Sequence, residues 1–409
     1  MTIIATGIAK QLRYKKEVTM ATLPGPTLAQ LLRRVTSNLD LQKATYKSNE
    51  LRPDYQIANF RHGVRSISGT IAGELSVGTY GDFMSSAVRQ AWQTIVTTGS
   101  IITVAIASTT GLQGTVTRSA GSFLTDGFKI GDVVRMTGWA TTAVTANARN
   151  FWITNLTATV MTGQFLDGVT VVPAKIAGDS VTIAQAGKKT WMATTAQTND
   201  SYSIEHWFSD IGQSEVFKGC RISDIDIKLP ATGFATIGTA FMGIDMVTAQ
   251  AAYFTAPSAI NPGGALASVN GMLFVGGVQV GLVTGMDIKI NGTMTTGGVV
   301  GQNTNVDIFA GPMEVSGQMT VYFQDAVMRD MFVNETEASL QAVFTTDNTA
   351  AADFMAFVLP RIKIGGATKD DGPKGLIMTM PYQALLNLNG GPSLATTLTT
   401  LSIQDSTVS

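Results

Sequence analysis

Ser37-Asn38-Leu39-Asp40-Leu41-Gln42-Lys43, a polar stretch, and then Phe60-Arg61-His62-Gly63-Val64-Arg65-Ser66-Ile67-Ser68-Gly69-Thr70-Ile71 decide the reading of this chain, because the pattern returns near its other end. There Gly285-Met286-Asp287-Ile288-Lys289-Ile290 precedes a second polar stretch and Phe309-Ala310-Gly311-Pro312-Met313-Glu314-Val315-Ser316-Gly317-Gln318-Met319. Both copies open on apolar-Asp-apolar and return on apolar-Ser-Gly-polar-apolar. Leu41 to Ser68 spans 27 residues (68 − 41), and Ile288 to Ser316 spans 28 (316 − 288). The alternation is that of half-buried strands, so each copy reads as a β-hairpin with a long polar loop. A duplicated hairpin suggests a unit that pairs with copies of itself, and it points away from a catalytic pocket.

Composition agrees. Of 409 residues, 44% are hydrophobic and only 14% charged, with 42 glycines. Gly, Thr, Val and Ile at low charge fit a mainly β protein. Low charge is also consistent with surface buried between subunits, since interface cores are depleted of charged residues. The formal net charge of −1 carries no nucleic-acid signature. Arg13, Lys15, Lys16, Arg33 and Arg34 form a basic stretch that reads as a solvated or subunit-contacting terminus.

Outward from the two hairpins, residues 1–35 read as an N-terminal arm with a short helix over Leu28–Arg34. Residues 44–62 form a long loop carrying Tyr46, Tyr55 and Phe60 among charges, which favours a partner contact. Phe83, Met84, Ala87, Val88, Ala91, Trp92 and Ile95 recur at helical steps, so Tyr80–Val96 is expected to be helical. Val327, Met328, Met331 and Phe332 follow the second hairpin in the same way. Arg221–Leu229 with Gly233–Met246, and Phe357–Ile364 with Gly375–Met380, give each copy a second hairpin. Residues 98–187 carry a separate pattern of short strands between Gly and Asn turns, the mark of a small barrel or sandwich. The expected organisation is therefore an arm (1–35), a first domain split into 36–97 and 188–250, an inserted small β domain (98–187), a linker (251–270), and a second domain with a C-terminal extension (271–409).

Chemical motifs are sparse. The single cysteine, Cys220, cannot form an internal disulfide, and it reads as a buried apolar residue. His62 and His206 have no partner at a zinc spacing. No Gly-rich motif follows the strand–loop–helix pattern of a phosphate cradle. Asp224 and Asp226, two apart on a strand, share one face and read as a wet sheet face more readily than as an acid/base pair. No catalytic residue, cofactor site or metal site is expected. There is no basic segment leading into an apolar core at the N-terminus, and no apolar run long enough to span a membrane.

The stretch from Lys15-Lys16-Glu17-Val18-Thr19-Met20-Ala21-Thr22-Leu23-Pro24-Gly25 to Ser76-Val77-Gly78-Thr79-Tyr80 resembles the tail tube proteins of long-tailed bacteriophages (siphophages). Leu31-Leu32-Arg33-Arg34-Val35-Thr36-Ser37-Asn38-Leu39-Asp40-Leu41, Ser48-Asn49-Glu50-Leu51-Arg52-Pro53-Asp54-Tyr55-Gln56-Ile57-Ala58-Asn59-Phe60-Arg61-His62-Gly63-Val64-Arg65 and Gly69-Thr70-Ile71-Ala72-Gly73-Glu74-Leu75-Ser76 carry the resemblance. Gly127-Phe128-Lys129-Ile130-Gly131-Asp132-Val133-Val134-Arg135 looks like small β modules that decorate phage virion proteins.

The resemblance implies a mainly β fold with minor α: two tandem β-sandwich or partial-barrel domains with flanking helices, plus the insertion. It implies a virion protein, assembled in the host cytoplasm, whose rings stack into a hollow tail tube for DNA ejection. The repeat adds the expectation of trimeric, pseudo-sixfold rings. Partners implied are other copies of the chain, the tape measure protein and viral DNA in the lumen without sequence-specific binding, and tail terminator and baseplate proteins, with no membrane. Loop 44–62 would reach the next ring through Tyr46, Glu50, Arg52, Asp54, Tyr55, Phe60 and Arg61. The second loop, 291–308, would do the same, less firmly anchored. Asp40, Glu74 and Glu314 are candidates to face the lumen, where acidic groups let DNA slide. Two alternatives stand: another phage tail ring protein, or a carbohydrate-binding adhesin-like protein with Trp139, Phe151 and Trp152 as its platform.

Overall fold

The computed structural model describes residues 4–109, 113–169, 174–280, 283–324, 326–371, 373 and 375–408. The first elements are β1 (Lys10–Lys16), β2 (Thr27–Leu31), β3 (Asp40–Lys47), β4 (Phe60–Glu74), α1 (Gly81–Ala87), β5 (Tyr202–Phe208), β6 (Gln213–Pro230) and β7 (Thr236–Gly243). The later ones are β8 (Gly271–Val275), β9 (Val278–Gln279), β10 (Val283–Asn291), β11 (Glu314–Tyr322), α2 (Val327–Val333), β12 (Ala338–Thr345), β13 (Phe354–Ile364), β14 (Thr368–Lys369) and β15 (Ile377–Ala384). The chain is mainly β, and its sheets curl into half-barrels.

The two series pair alike. β3 pairs with β4, β4 with β7 and β7 with β6. In the same way β10 pairs with β11, β11 with β15 and β15 with β13. The hairpins β5–β6 and β12–β13 correspond, as do the outer pairs β1–β5 and β8–β12. Between the halves, Asp224–Pro230 of β6 runs antiparallel to Gly285–Asn291 of β10. The result is one inner sheet in the order β3-β4-β7-β6-β10-β11-β15-β13.

Alternation sets the layers, since successive strand residues point to opposite faces. Ile67 and Ile71 of β4, Ile225, Ile227 and Leu229 of β6, Ile288 and Ile290 of β10, and Val315 and Met319 of β11 turn into one continuous core. That core is shared with the outer strands through Leu12, Tyr14, Tyr202, Leu340, Phe357 and Leu359.

The pairing corrects the sequence equivalence. Asp40 faces Ser68, whereas Asp287 faces Gln318, so the matching residue of the first hairpin is Asn38. The contacts agree. Asn38 Oδ1 accepts the Thr70 N–H at 2.6 Å, and Asp287 Oδ1 accepts the Gln318 N–H at 3.0 Å. A slip of two residues keeps every side chain on its face, so the hydrophobic pattern could not detect it.

Two helix expectations also change. Leu28–Arg34 is not helical: Gln30 and Leu31 pair with Tyr14 and Arg13, and pairing overrides local propensity. The helix after the first hairpin stops at Ala87. Arg89 adopts a left-handed backbone (φ +57°), and its guanidinium reaches the carbonyls of Gly292 at 3.2 Å and Gly311 at 2.9 Å.

The inserted segment forms its own seven-stranded antiparallel sheet from Thr97–Ile101 to Val181–Gln185. Its core is Phe123, Phe128, Trp139, Phe151, Phe165 and their neighbours. A separate contact joins it to the main body. Trp152, Val133, Leu166 and Ala186 meet Phe274 of β8, Val343 of β12, and Phe354 and Ala356 of β13. Those residues lie on the side of the outer strands that faces away from the shared core, so the insertion lies outside the outer sheet.

Candidate assembly surface

The inner sheet has a polar face opposite its core face. Asp40 lies across from Ser68, Glu74 across from Thr236, and Glu314 across from Asn291. All three therefore sit on this one face, and all are exposed. The face also carries Asp224, Asp226 and Asp287, which the sequence reading did not count as lumen candidates. The signal was present: each alternates with a buried Ile or Met. Against these six carboxylates stand four cations, Lys228, Lys289, Arg361 and Lys363, the last two already paired with Glu337 and Glu335. Lys228 lies 3.3 Å from Asp226. Partial burial, and then the charge of Asp226, raise the Asp287 carboxyl.

The sheet ends on two unshared edges. Among the described residues, β3 and the short piece Thr36–Ser37 pair with β4 alone, and β14 pairs with β15 alone. An open edge presents unpaired N–H and C=O groups to other chains. At the β3 edge, Leu41 N–H is held by the carboxylate of its own neighbour Asp40, at 2.7 Å.

Loop 44–62 is an extension of the first hairpin. β3 and β4 stay paired out to Lys47 and Phe60, and the segment between them stands away from the body. Tyr46, Glu50, Arg52, Asp54, Tyr55, Phe60 and Arg61 are all exposed on it. Arg52 and Asp54 pair at 2.8 Å, and Phe60 stacks edge-on against His62.

The second loop reverses the expectation that it would be the less anchored. Thr295–Gly297 pairs with Asp307–Phe309, and Arg221 meets Asp307 at 2.9 Å. Asn303 O accepts the Arg65 N–H at 2.8 Å, and Asn305 Nδ2 donates to Arg65 O at 3.3 Å. Its Gly-Thr-Asn composition hid contacts made mainly by backbone groups and by residues distant in sequence.

The aromatic platform of the adhesin alternative is absent at the residues named for it. Trp139, Phe151 and Trp152 are buried, the last against Phe274 at 4.8 Å between ring centres. Among the described residues no three His, Cys, Asp or Glu side chains gather as a metal site, and no helix is long and apolar enough to cross a membrane. Cys220 is fully buried, and burial pushes its thiol well up.

His206 supports the β3 edge from behind. Its Nε2 lies 2.8 Å from Ser37 Oγ, and its ring stacks on Phe217. Burial, then Lys10 and Arg34, lower its pKa to about 3. Glu215, half exposed and 3.9 Å away, does not offset them. The folded value lies below the unfolded value of about 6.5, so the unfolded chain binds the extra proton between them. Stability is therefore full above about pH 6.5 and falls toward pH 3, by on the order of 4 kcal/mol over that window. Melting of wild type and His206→Gln at pH 7 and pH 4 checks this: the advantage of wild type should shrink at pH 4. An unchanged difference would remove His206 as the acid-sensitive group.

Over residues 7–389 the chain matches the family model described as phage tail tube protein. No curated protein matches it. The match covers nearly the whole chain, so the chain belongs to the phage tail tube family, whose members are structural components of the virion tail.

Proposed function

We propose that this tail tube family member closes into rings of three copies, with six repeats around a channel, and that the rings stack into the hollow tube through which DNA leaves a siphophage virion. The observation that carries the reading is the pairing of β6 with β10. One chain already joins two repeats edge to edge and leaves one unshared edge at each end. Three such chains closed in a circle leave no edge unpaired, as closed cyclic symmetry requires. The polar face then lines the channel, its acidic excess discouraging phosphate contacts. Asp40, Glu74 and Glu314 lie in that lining, together with Asp224, Asp226 and Asp287.

The extended arm bearing Tyr46, Glu50, Arg52, Asp54, Tyr55, Phe60 and Arg61 reaches the neighbouring ring. The insertion, which lies outside the outer sheet, decorates the outside of the tube. Assembly takes place in the host cytoplasm, with the tape measure protein and then DNA in the lumen and terminator and baseplate proteins at the ends. Negative-stain electron microscopy over a concentration series tests this. Three-fold rings with six inner lobes, and tubes at higher concentration, are expected. Rings of six chains would overturn the trimer alone, and dispersed monomers at every concentration would overturn the assembly reading.

A further inference from the structure

The joint inside the chain specifies, residue by residue, the joint between chains. Repeat counterparts follow from shared partners. Ser68 faces Met242 and Ser316 faces Gln383, which aligns β7 with β15. Asp226 then faces Gly238 as Thr368 faces Thr379, so Thr368 holds the place of Asp226, and Ala367 that of Ile225. On the other side, Asp40 faces Ser68 as Lys289 faces Ser316, and Leu41 faces Ile67 as Ile290 faces Val315. Within the chain, Asp226 pairs with Lys289 and Ile225 with Ile290.

We propose that the Gly366–Asp370 edge of one copy pairs antiparallel with the Asn38–Gln42 edge of another copy, Thr368 opposite Asp40 and Ala367 opposite Leu41. The inference rests on the ring reading above and gives it a register.

The free edges are prepared for this pairing. Asn38 N–H donates to Thr70 O at 3.2 Å, so the two-residue alternation of an antiparallel ladder sends the Leu41 N–H away from β4. In the free chain Asp40 satisfies that N–H. Lys289, the counterpart of Asp40, has no acceptor with which to do so, and its strand is the one already paired. The hydroxyl of an incoming Thr368 can donate to the Asp40 carboxylate and release the Leu41 N–H to the new strand. The pair also brings no like charges together, which matters because like charges placed directly opposite are destabilising.

Asp40 and Thr368 fall at a non-hydrogen-bonded position of the proposed ladder, where facing side chains are closest. The test is an Asp40→Cys/Thr368→Cys variant, with Gln42→Cys/Gly366→Cys as a second pair one step along the same face. The native Cys220 is buried and does not compete. After mild oxidation of assembled protein, denaturing gels should show a ladder ending at three chains, while each single-cysteine variant stays monomeric. Leu41→Pro removes the outward N–H but leaves the β4 pairing intact, since an edge strand tolerates proline where its N–H faces solvent. It should keep a folded circular dichroism spectrum, with melting lowered only modestly by the lost Leu41 packing, yet form no rings. Rings by electron microscopy without either cross-link, or with Leu41→Pro assembling normally, would overturn the register and leave the assembly reading standing. A wild-type chain that forms no rings at any concentration would overturn both.

Discussion

Replacing Asn49–Ala58 by Asn-Gly is expected to leave rings intact and abolish tubes, with mean polymer length falling more than tenfold. The Ser48 N–H donates to Asn59 O at 3.0 Å, the last hydrogen-bonded pair of the arm, so a two-residue turn placed on that pair closes the hairpin without altering its register. The removed segment contributes little to folding. Its ion pair, Arg52 with Asp54, is exposed, and such pairs contribute about 0–1 kcal/mol. It does expose apolar surface: Leu51 and Tyr55 are about as open as in an extended chain, at 102% and 98%. The proposed ring joint uses the sheet edges instead, and these lie at the base of the arm. Sedimentation velocity with electron microscopy reads the outcome. Tubes of unchanged length would remove the arm from the inter-ring contact, and loss of rings as well would move it into the joint within a ring.

Lys189→Met is expected to loosen the insertion from the tube body and to cost about 3–5 kcal/mol, the usual result of leaving a buried charge without its partner. Asp132, at the base of the insertion, is fully buried and lies 2.5 Å from Lys189 Nζ. It also accepts from Lys129 N–H at 2.9 Å and Gln185 Nε2 at 2.7 Å. Lys129 in turn donates to the carbonyls of Gly391, Pro392 and Leu394 at 2.6–2.7 Å, tying in the C-terminal loop. Burial, then the charge of Lys189, lowers the Lys129 ammonium to about 8.

Removing Lys189 takes away the partner ammonium of the Asp132 carboxylate and leaves it the Lys129 backbone N–H and the Gln185 amide as donors. Adding Asp132→Asn removes that charge and keeps an oxygen to accept from Lys129 and Gln185, so the double variant should recover part of the loss. Urea unfolding, with proteolysis at the junctions near residues 97 and 186, reads both effects. A double variant less stable than Lys189→Met would show that the pair is not what holds the insertion.

Strand periodicity makes the architecture legible in the sequence itself. Ile225, Ile227, Ile288 and Ile290 announce a core face, and Asp224, Asp226, Asp287 and Lys289 a wet one, because a strand has only two faces to offer. The repeat and the insertion were legible for the same reason: each is a property of order along the chain. Registers and anchors were not. Asn38 rather than Asp40 answers to Asp287, and only the hydrogen bonds to Thr70 and Gln318 distinguish them. The helix over Leu28–Arg34 yielded to pairing with β1, a partner that local propensity cannot see. Loop 291–308 looked loose because the groups that hold it, Arg65, Arg89 and Arg221, lie in the other repeat. Residue order by itself determined which side chains share a face. Tertiary structure alone decided which strands lie next to one another, and so which two edges remain open, because that choice depends on contacts between residues far apart in the chain.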